Sequence, residues 1–319
     1  MKAVVYTRYG APDVLTLQDV ERPAPADDEV LIKVGAASVN PLDYHFMRGV
    51  PFPIRLMTGL RKPKAQLGRD VAGRIERVGS NVTQFQPGEA VFGTCHGGAF
   101  AEYVCAQAST LLAKPDQLTF EQAAAVPIAA FTAWYGLRET GRIQAGQKVL
   151  INGAASGVGT FAVQIAKALG AAVTGVCSTR NVDMVQSIGA DHVVDYTQED
   201  FTTSDQRYDL LLDCVGNHSL SACRRVLNRT GTHLLVGGPP LISIARAIAA
   251  PLVSRFVSQR AVAVMPRRFN DALPAICELI RDGKVAPVID KRYRLSETAD
   301  AIRYLETGHA RGKVVVTME

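Results

Sequence analysis

Val149-Leu150-Ile151-Asn152-Gly153-Ala154-Ala155-Ser156-Gly157-Val158-Gly159 is a short apolar run that enters a turn of small residues. Beyond it, Val158, Ala162, Ile165, Ala166 and Leu169 recur on one face, which predicts strand, tight loop and helix in succession. The first N–H groups of a helix lack partners within it, and the helix dipole adds positive charge there, so a pyrophosphate fits such a start. Small residues let the backbone approach the ligand, which is the role of the glycines in the dinucleotide fingerprint G-x-G-x-x-G. Over residues 154–159, Ala154 and Ser156 stand where the first two glycines would be, and Gly159 alone is in place. On these residues two readings stand. The stretch is a nucleotide loop contacting its ligand through Ala155, Ser156, Gly157 and Val158, or it is a tight turn inside an ordinary βα unit.

A chain of 319 residues with 47% hydrophobic and 20% charged residues suits two globular domains. The net charge of +5 is spread along the sequence rather than gathered in a run, which argues against a nucleic-acid partner and leaves a small-molecule electrophile as the expected one. Cys95, Cys105, Cys177, Cys214, Cys223 and Cys277 form no C-x-x-C pair, as expected of reduced thiols in a cytoplasmic protein. The residues from Met1 to Tyr6 read as a strand, not a signal peptide. The apolar stretch from Leu241 to Val264 is broken by Arg246, Pro251, Arg255 and Arg260, so no membrane insertion is expected.

Residues 1 to about 120 read as short strands separated by Gly and Pro turns, with Pro51 to Lys64 as an irregular loop suited to a surface lid. Glu121 to Leu137 is helical in pattern and kinked or divided by Pro127. Strands and helices then alternate through residues 148–282, with a helix expected over 241–257 and another over 268–282. That alternation implies a parallel sheet with helices on both faces. A strand-like pattern returns over 285–319 around a helix from Ser296 to Glu306. The expected architecture is α/β. A doubly wound parallel-sheet (Rossmann) domain over 121–284 is inserted between 1–120 and 285–319, which form a mostly β domain.

Several further motifs give the order of parts a family likeness. They are Ser38-Val39-Asn40-Pro41-Leu42-Asp43, Leu67-Gly68-Arg69-Asp70-Val71-Ala72-Gly73, Phe85-x-Pro87-Gly88-x-x-Val91-Phe92-Gly93, Gly189-Ala190-Asp191 and Gly308-His309-Ala310-Arg311-Gly312-Lys313-Val314-Val315. With the 154–159 loop, they make the chain resemble the medium-chain dehydrogenase/reductase superfamily in its zinc-free, quinone oxidoreductase-like branch. The resemblance implies a GroES-like catalytic domain for the β half and a homodimer. Members of that branch commonly carry A-x-x-G-V-G at the pyrophosphate, which makes the two absent glycines a mark of the branch.

In zinc-dependent relatives a cysteine and a G-H-E histidine hold the metal; here Asn40 to Asp43 and Gly68-Arg69-Asp70 stand in those regions, so no metal is expected. After the second strand of the parallel sheet an NAD enzyme usually has an acid for the ribose diol. This chain has Ser178-Thr179-Arg180. Ser178 and Arg180 suit a 2′-phosphate and NADPH, or Ser178 and Thr179 cap the next helix. Tyr196 resembles a tyrosine near the adenosine phosphate, or is a surface aromatic. Thr132 resembles a threonine beside the nicotinamide, or packs inside its helix. Gly237 and Gly238 follow a strand end where such sheets bind ligands, and Val215 lies at another.

For the reacting end, the resemblance points to Asn40, with Tyr44 and His45 as the nearest proton donors; His45 stands where relatives often carry tyrosine, so a structural role for it remains open. The expected activity is zinc-independent, NADPH-dependent hydride transfer to a quinone or α,β-unsaturated carbonyl. The alternatives are an alkenal/enoyl reductase, a zinc-free alcohol dehydrogenase-like protein, and an NADPH-binding protein without significant turnover.

Overall fold

The computed structural model describes residues 1–238, 258–265 and 269–318. The chain forms two compact units, one of Met1–Ile128, Phe269–Pro274 and Pro287–Glu319, the other of Ala129–Arg268 and Ala275–Ala286.

The first unit begins with a small antiparallel pair, β1 (Lys2–Val5) and β2 (Thr16–Asp19). Its main sheet is built on the long β3 (Glu29–Val39), followed by β4 (Asp70–Val78), β5 (Ala90–Thr94), β6 (Tyr103–Gln107) and β7 (Leu111–Ala113). Apolar residues of β3 and β4, including Val30, Ile32, Val71 and Ile75, pack with Phe46, Met47 and Phe100 in one core.

Two helices fall where the sequence reads as strand and loop. One, Pro41–Arg48, is set by local chemistry: Pro41 is at its first position, the Asp43 carboxylate accepts the N–H of Asn40 at 2.8 Å, and Gly49 closes it with φ +62°. The other, Ile54–Thr58, is a short turn of helix inside the expected irregular loop. The pattern over 121–137 is divided as expected, into Phe120–Ala124 and Pro127–Trp134. Residues 121–128, expected in the parallel-sheet domain, belong instead to the first unit. Arg74 and Lys114 lie 5.8 and 5.7 Å from the Phe120 ring centroid, and the buried Asp70 carboxylate accepts the N–H of Ile128 at 3.1 Å.

The second unit contains a six-stranded, wholly parallel sheet of β8 (Lys148–Asn152), β9 (Ala172–Cys177), β10 (His192–Asp195), β11 (Tyr208–Asp213), β12 (Leu227–Leu235) and β13 (Arg260–Ala263). Their order is β10-β9-β8-β11-β12-β13, two halves wound outward from the β8/β11 seam, which is the dinucleotide-binding topology. Leu150, Ile151, Leu211 and Leu212 are inaccessible to solvent, and each contributes roughly 1.5–3 kcal/mol by burial. The expected helix over 241–257 lies outside the described residues, as does residue 268; the last helix of this region is Phe269–Arg281.

The chain then returns to the first unit's sheet through β14 (Ile289–Arg294) and β15 (Lys313–Thr317), with β15 antiparallel to β3. Between them the helix Thr298–Glu306 starts two residues later than the Ser296 signal, because Glu297 closes a preceding tight turn by accepting the N–H of Arg294.

Candidate active site

In the second unit, β8 ends at Asn152 and the chain turns through Gly153 at φ +81° into the helix Gly157–Ala168. Ser156 is the N-cap: its Oγ accepts the N–H of Gly159 at 3.0 Å. Among the described residues the N–H groups of Gly157 and Val158 have no partner, which leaves two donors at the positive end of a twelve-residue helix. Gly159 is required by packing, since a Cβ there would stand 2.0 Å from the carbonyl oxygen of Gly153. The helix is thereby held against the strand end.

The chain after β9 is fixed by Thr179, whose Oγ1 donates to Asp195 at 2.5 Å. That bond, with further donors from Thr197, holds the Asp195 carboxyl below its usual range. Asp195 is the acid nearest this turn in the hydrogen-bond network, and it arrives from the end of β10 rather than from β9. Ser178 caps no helix with its side chain; its Oγ instead accepts Asn181 Nδ2 at 3.2 Å. Arg180, in the 3-10 turn Thr179–Asn181, and Tyr196, just after β10, are exposed, and the Tyr196 N–H donates to Cys177 O at 3.0 Å.

At the end of β11 a buried carboxylate organises the next loop. Asp213 Oδ1 accepts Asn152 Nδ2 at 2.8 Å and the N–H groups of Gly216 and Val215 at 2.8 and 3.2 Å, while Oδ2 pairs with His233 Nε2 at 3.2 Å. Burial drives the Asp213 carboxyl upward, but these donors, His233 first, outweigh it and leave it below its usual value. Val215 is thus displayed by a loop that Asp213 holds.

Gly237 follows β12, and a Cβ there would stand 2.0 Å from the carbonyl oxygen of Cys214. The close approach at this glycine is therefore by the protein's own backbone. Gly238 has φ +130°, and Thr132 is half-buried on the helix Pro127–Trp134.

In the first unit the residues around Asn40 form a buried polar cluster. Asn40 Nδ2 donates to Asp70 Oδ2 at 3.0 Å and to Ser38 O at 3.3 Å, and its Oδ1 accepts Lys313 Nζ at 2.7 Å. Ser38 Oγ donates to the same Asp70 oxygen at 2.8 Å, and Lys313 Nζ lies 3.6 Å from it. Asn40, Asp43, Asp70 and Lys313 are each at most 3% exposed. Burial raises the Asp70 carboxyl and lowers the Lys313 ammonium, and their mutual attraction opposes both shifts. Asp43 accepts the N–H of Gly68 at 2.8 Å as well as that of Asn40, yet burial pushes its carboxyl up to about 6.

The Asn40 amide is therefore turned into the protein. The residues that hold it, Asp43, Asp70 and Lys313, are absent from the sequence reading of the site. Asn40-Pro41-x-Asp43 is a helix-start signature that could have revealed Asp43; no local signal joins Lys313 to Asn40.

Tyr44 and His45 follow on the same helix with ring centroids 4.5 Å apart. Burial raises the Tyr44 phenol and lowers the His45 imidazole, so at neutral pH the phenol carries its proton and the imidazole is uncharged. Among the described residues the Tyr44 hydroxyl has no hydrogen-bond partner.

The donor chemistry here does not suit zinc. Asn40 is engaged, Arg69 offers a guanidinium, and the Cys95 thiol is pushed up to about 12 by burial while donating to the carbonyls of Gly68 and Gly97. Among the described residues one group of three ligating side chains exists, Asp213, Cys223 and His233, with ligand atoms within 4.8 Å of one another. All three are buried in the second unit, so an ion there would offer no open position to a substrate.

Residues 26–116 match the alcohol dehydrogenase GroES-like domain family, and residues 188–316 match the zinc-binding dehydrogenase family. A 2-methylene-furan-3-one reductase of Solanum lycopersicum and a chloroplastic NADPH-dependent alkenal/one oxidoreductase of Arabidopsis thaliana are each 33% identical, over 99% of this chain and 79% of theirs. The solved quinone oxidoreductase from Coxiella burnetii superposes with a TM-score of 0.90 at 33% identity, covering 100% of this chain and 99% of that one. With the parallel-sheet order, the GroES-like sheet and these likenesses together, the chain belongs to the medium-chain dehydrogenase/reductase superfamily, among its quinone oxidoreductase-like members.

Proposed function

We propose that this protein is an NADPH-dependent reductase that delivers hydride to a quinone or an α,β-unsaturated carbonyl without a metal ion. The observation that carries the reading is the helix start at Gly157 and Val158, two unpartnered N–H groups at the carboxyl end of β8, one of the two central strands of a sheet wound outward on both sides. The names of the Arabidopsis and Coxiella relatives support the electrophile class.

In this reading Gly157 and Val158 hold the pyrophosphate, with Ala155 and Ser156 shaping the turn. Ser178 and Arg180 take the 2′-phosphate, and Tyr196 lies along the adenosine. Val215, Thr132, Gly237 and Gly238 line the path toward the nicotinamide. When bound, the cofactor supplies the hydride, and the protein supplies orientation and exclusion of water. Asn40 fixes the start of the helix that displays Tyr44, and the Tyr44 phenol donates a hydrogen bond to the acceptor oxygen as charge develops there. Without a Lewis acid, such donors favour acceptors that take hydride readily, as quinones and conjugated carbonyls do.

The test is NADPH oxidation by the purified protein with a quinone and an enone panel, run with and without a chelator and repeated with NADH. Turnover with NADPH that the chelator leaves unchanged is the expected result. Tight NADPH binding with no oxidation by any electrophile would make the protein a cofactor-binding protein, and activity that a chelator abolishes and zinc restores would overturn the metal-free reading.

A further inference from the structure

Nine large apolar side chains are exposed among the described residues, and five of them stand within one short stretch: Val50 (52%), Phe52 (63%), Leu56 (69%), Met57 (81%) and Leu60 (57%). Apolar residues scattered singly over a surface need no explanation, but a cluster does. This one is held in place rather than left loose. Tyr9 hydrogen-bonds through its hydroxyl to Thr58 Oγ1 at 2.8 Å and donates to Gly59 O, and Arg55 Nε donates to Gly49 O at 3.1 Å. Ile54 of the same short helix packs against the core, while Leu56 and Met57 point away from it.

The charge along this stretch of sequence has one sign. Residues 44–69 contain six Arg or Lys and no Asp or Glu. Arg48 is paired with Glu306, and Arg55 lies over the Tyr9 ring. Arg61, Lys62 and Lys64, directly after the apolar tip, are exposed and without an ion pair among the described residues.

We propose that residues 50–64 dock the protein on an anionic phospholipid bilayer, with the apolar tip entering the headgroup boundary and Arg61, Lys62 and Lys64 meeting lipid phosphates. A bilayer accepts this chemistry because it takes apolar side chains at shallow depth, takes Lys and Arg at the phosphates, and asks for no matching pattern of hydrogen bonds. A protein interface normally carries about one hydrogen bond per 100–200 Å². The tip offers none from its exposed side chains between Val50 and Leu60, since Thr58 is buried and bonded inward. A second copy of this chain fits poorly as well, because twofold pairing on this face sets like charges opposite one another. No helix among the described residues is long and apolar enough to cross a membrane, so the docking is peripheral. The proposal does not depend on which electrophile is reduced.

Co-sedimentation of the full chain with sucrose-loaded vesicles tests it. Vesicles of phosphatidylcholine containing a quarter phosphatidylglycerol should retain the protein at low salt, and high salt or pure phosphatidylcholine should release most of it. The triple variants Phe52→Ser/Leu56→Ser/Met57→Ser and Arg61→Glu/Lys62→Glu/Lys64→Glu should each lower partitioning by about tenfold or more, with unchanged thermal unfolding showing that both remain folded. Absence of binding to the anionic vesicles, or binding of either variant equal to that of the wild type, overturns the proposal. A dimer of the wild-type chain in solution that the apolar variant converts to monomer would assign the surface to a second copy instead, and overturns it too.

Discussion

Lys313 donates from Nζ to Asn40 Oδ1 at 2.7 Å, joining two residues 273 positions apart in the chain. The bond decides which way the Asn40 amide faces, since with Oδ1 committed to a cation the Nδ2 group must point to Asp70 and Ser38. Lys313→Met would leave Asp70 and the Asn40 carbonyl buried without their cation. It should destabilise the protein by about 3–5 kcal/mol in urea unfolding. A loss below about 1 kcal/mol would show that the network tolerates the gap.

Asp43 makes stability depend on pH in a definite direction. Its carboxyl is held at about 6 in the folded protein against 3.8 ordinarily, so the proton is bound more tightly when folded. The resulting contribution is fully present below about pH 3.8 and is lost as pH rises through about 6. It amounts to about 3 kcal/mol for a shift of that size. The stability of the wild type relative to Asp43→Asn should fall by that order between pH 4 and 7; parallel stability curves would contradict the assignment.

Gly159→Ala places a methyl group where the Gly153 carbonyl oxygen lies 2.0 Å away, so helix and loop must part. NADPH affinity, followed by calorimetric titration, should fall by about tenfold or more, about 1.4 kcal/mol at least. Unchanged affinity would mean that the pyrophosphate is held elsewhere.

Arg180→Ala should raise the Michaelis constant for NADPH about 10- to 100-fold, the usual worth of charge-assisted hydrogen bonds to phosphate, and leave NADH kinetics as they are. Equal effects on both cofactors would remove Arg180 from recognition of the 2′-phosphate.

Tyr44→Phe deletes the phenol whose proton burial retains, and kcat should drop about a hundredfold. His45→Ala should change kcat little, because the imidazole, uncharged near neutrality, has only a neutral N–H to offer. The reverse pattern in stopped-flow rates would move the donor to His45.

The parallel sheet was legible because β8, β9 and β11 are short buried runs, each followed by a helix-period segment, so local pattern and tertiary role agree there. Ser156 as the helix cap and Gly159 as the packing glycine follow from the same eleven residues that showed the loop. The first unit was harder to read. Pro41–Arg48 is a short helix whose Leu42, Phe46 and Met47 sit among strand-like neighbours, so only its cap, Asn40-Pro41-x-Asp43, betrays it. The orientation of Asn40 was out of reach, since it depends on Asp70 and Lys313, brought in by β4 and β15. Gly237 is marked by its place after a strand end, but that its close neighbour is Cys214 follows only from the folded structure.

Because β15 lies between β14 and β3, and Lys313 is its first residue, the cluster around Asn40 waits for the last strand of its sheet to be made. On the ribosome the parallel-sheet unit has emerged almost entirely before that strand appears, and it can fold first as an independent unit. Until β15 has emerged, Asp70 and Asn40 stand without their cation, so a nascent or truncated chain is able to assemble the nucleotide loop while the first unit remains unfinished.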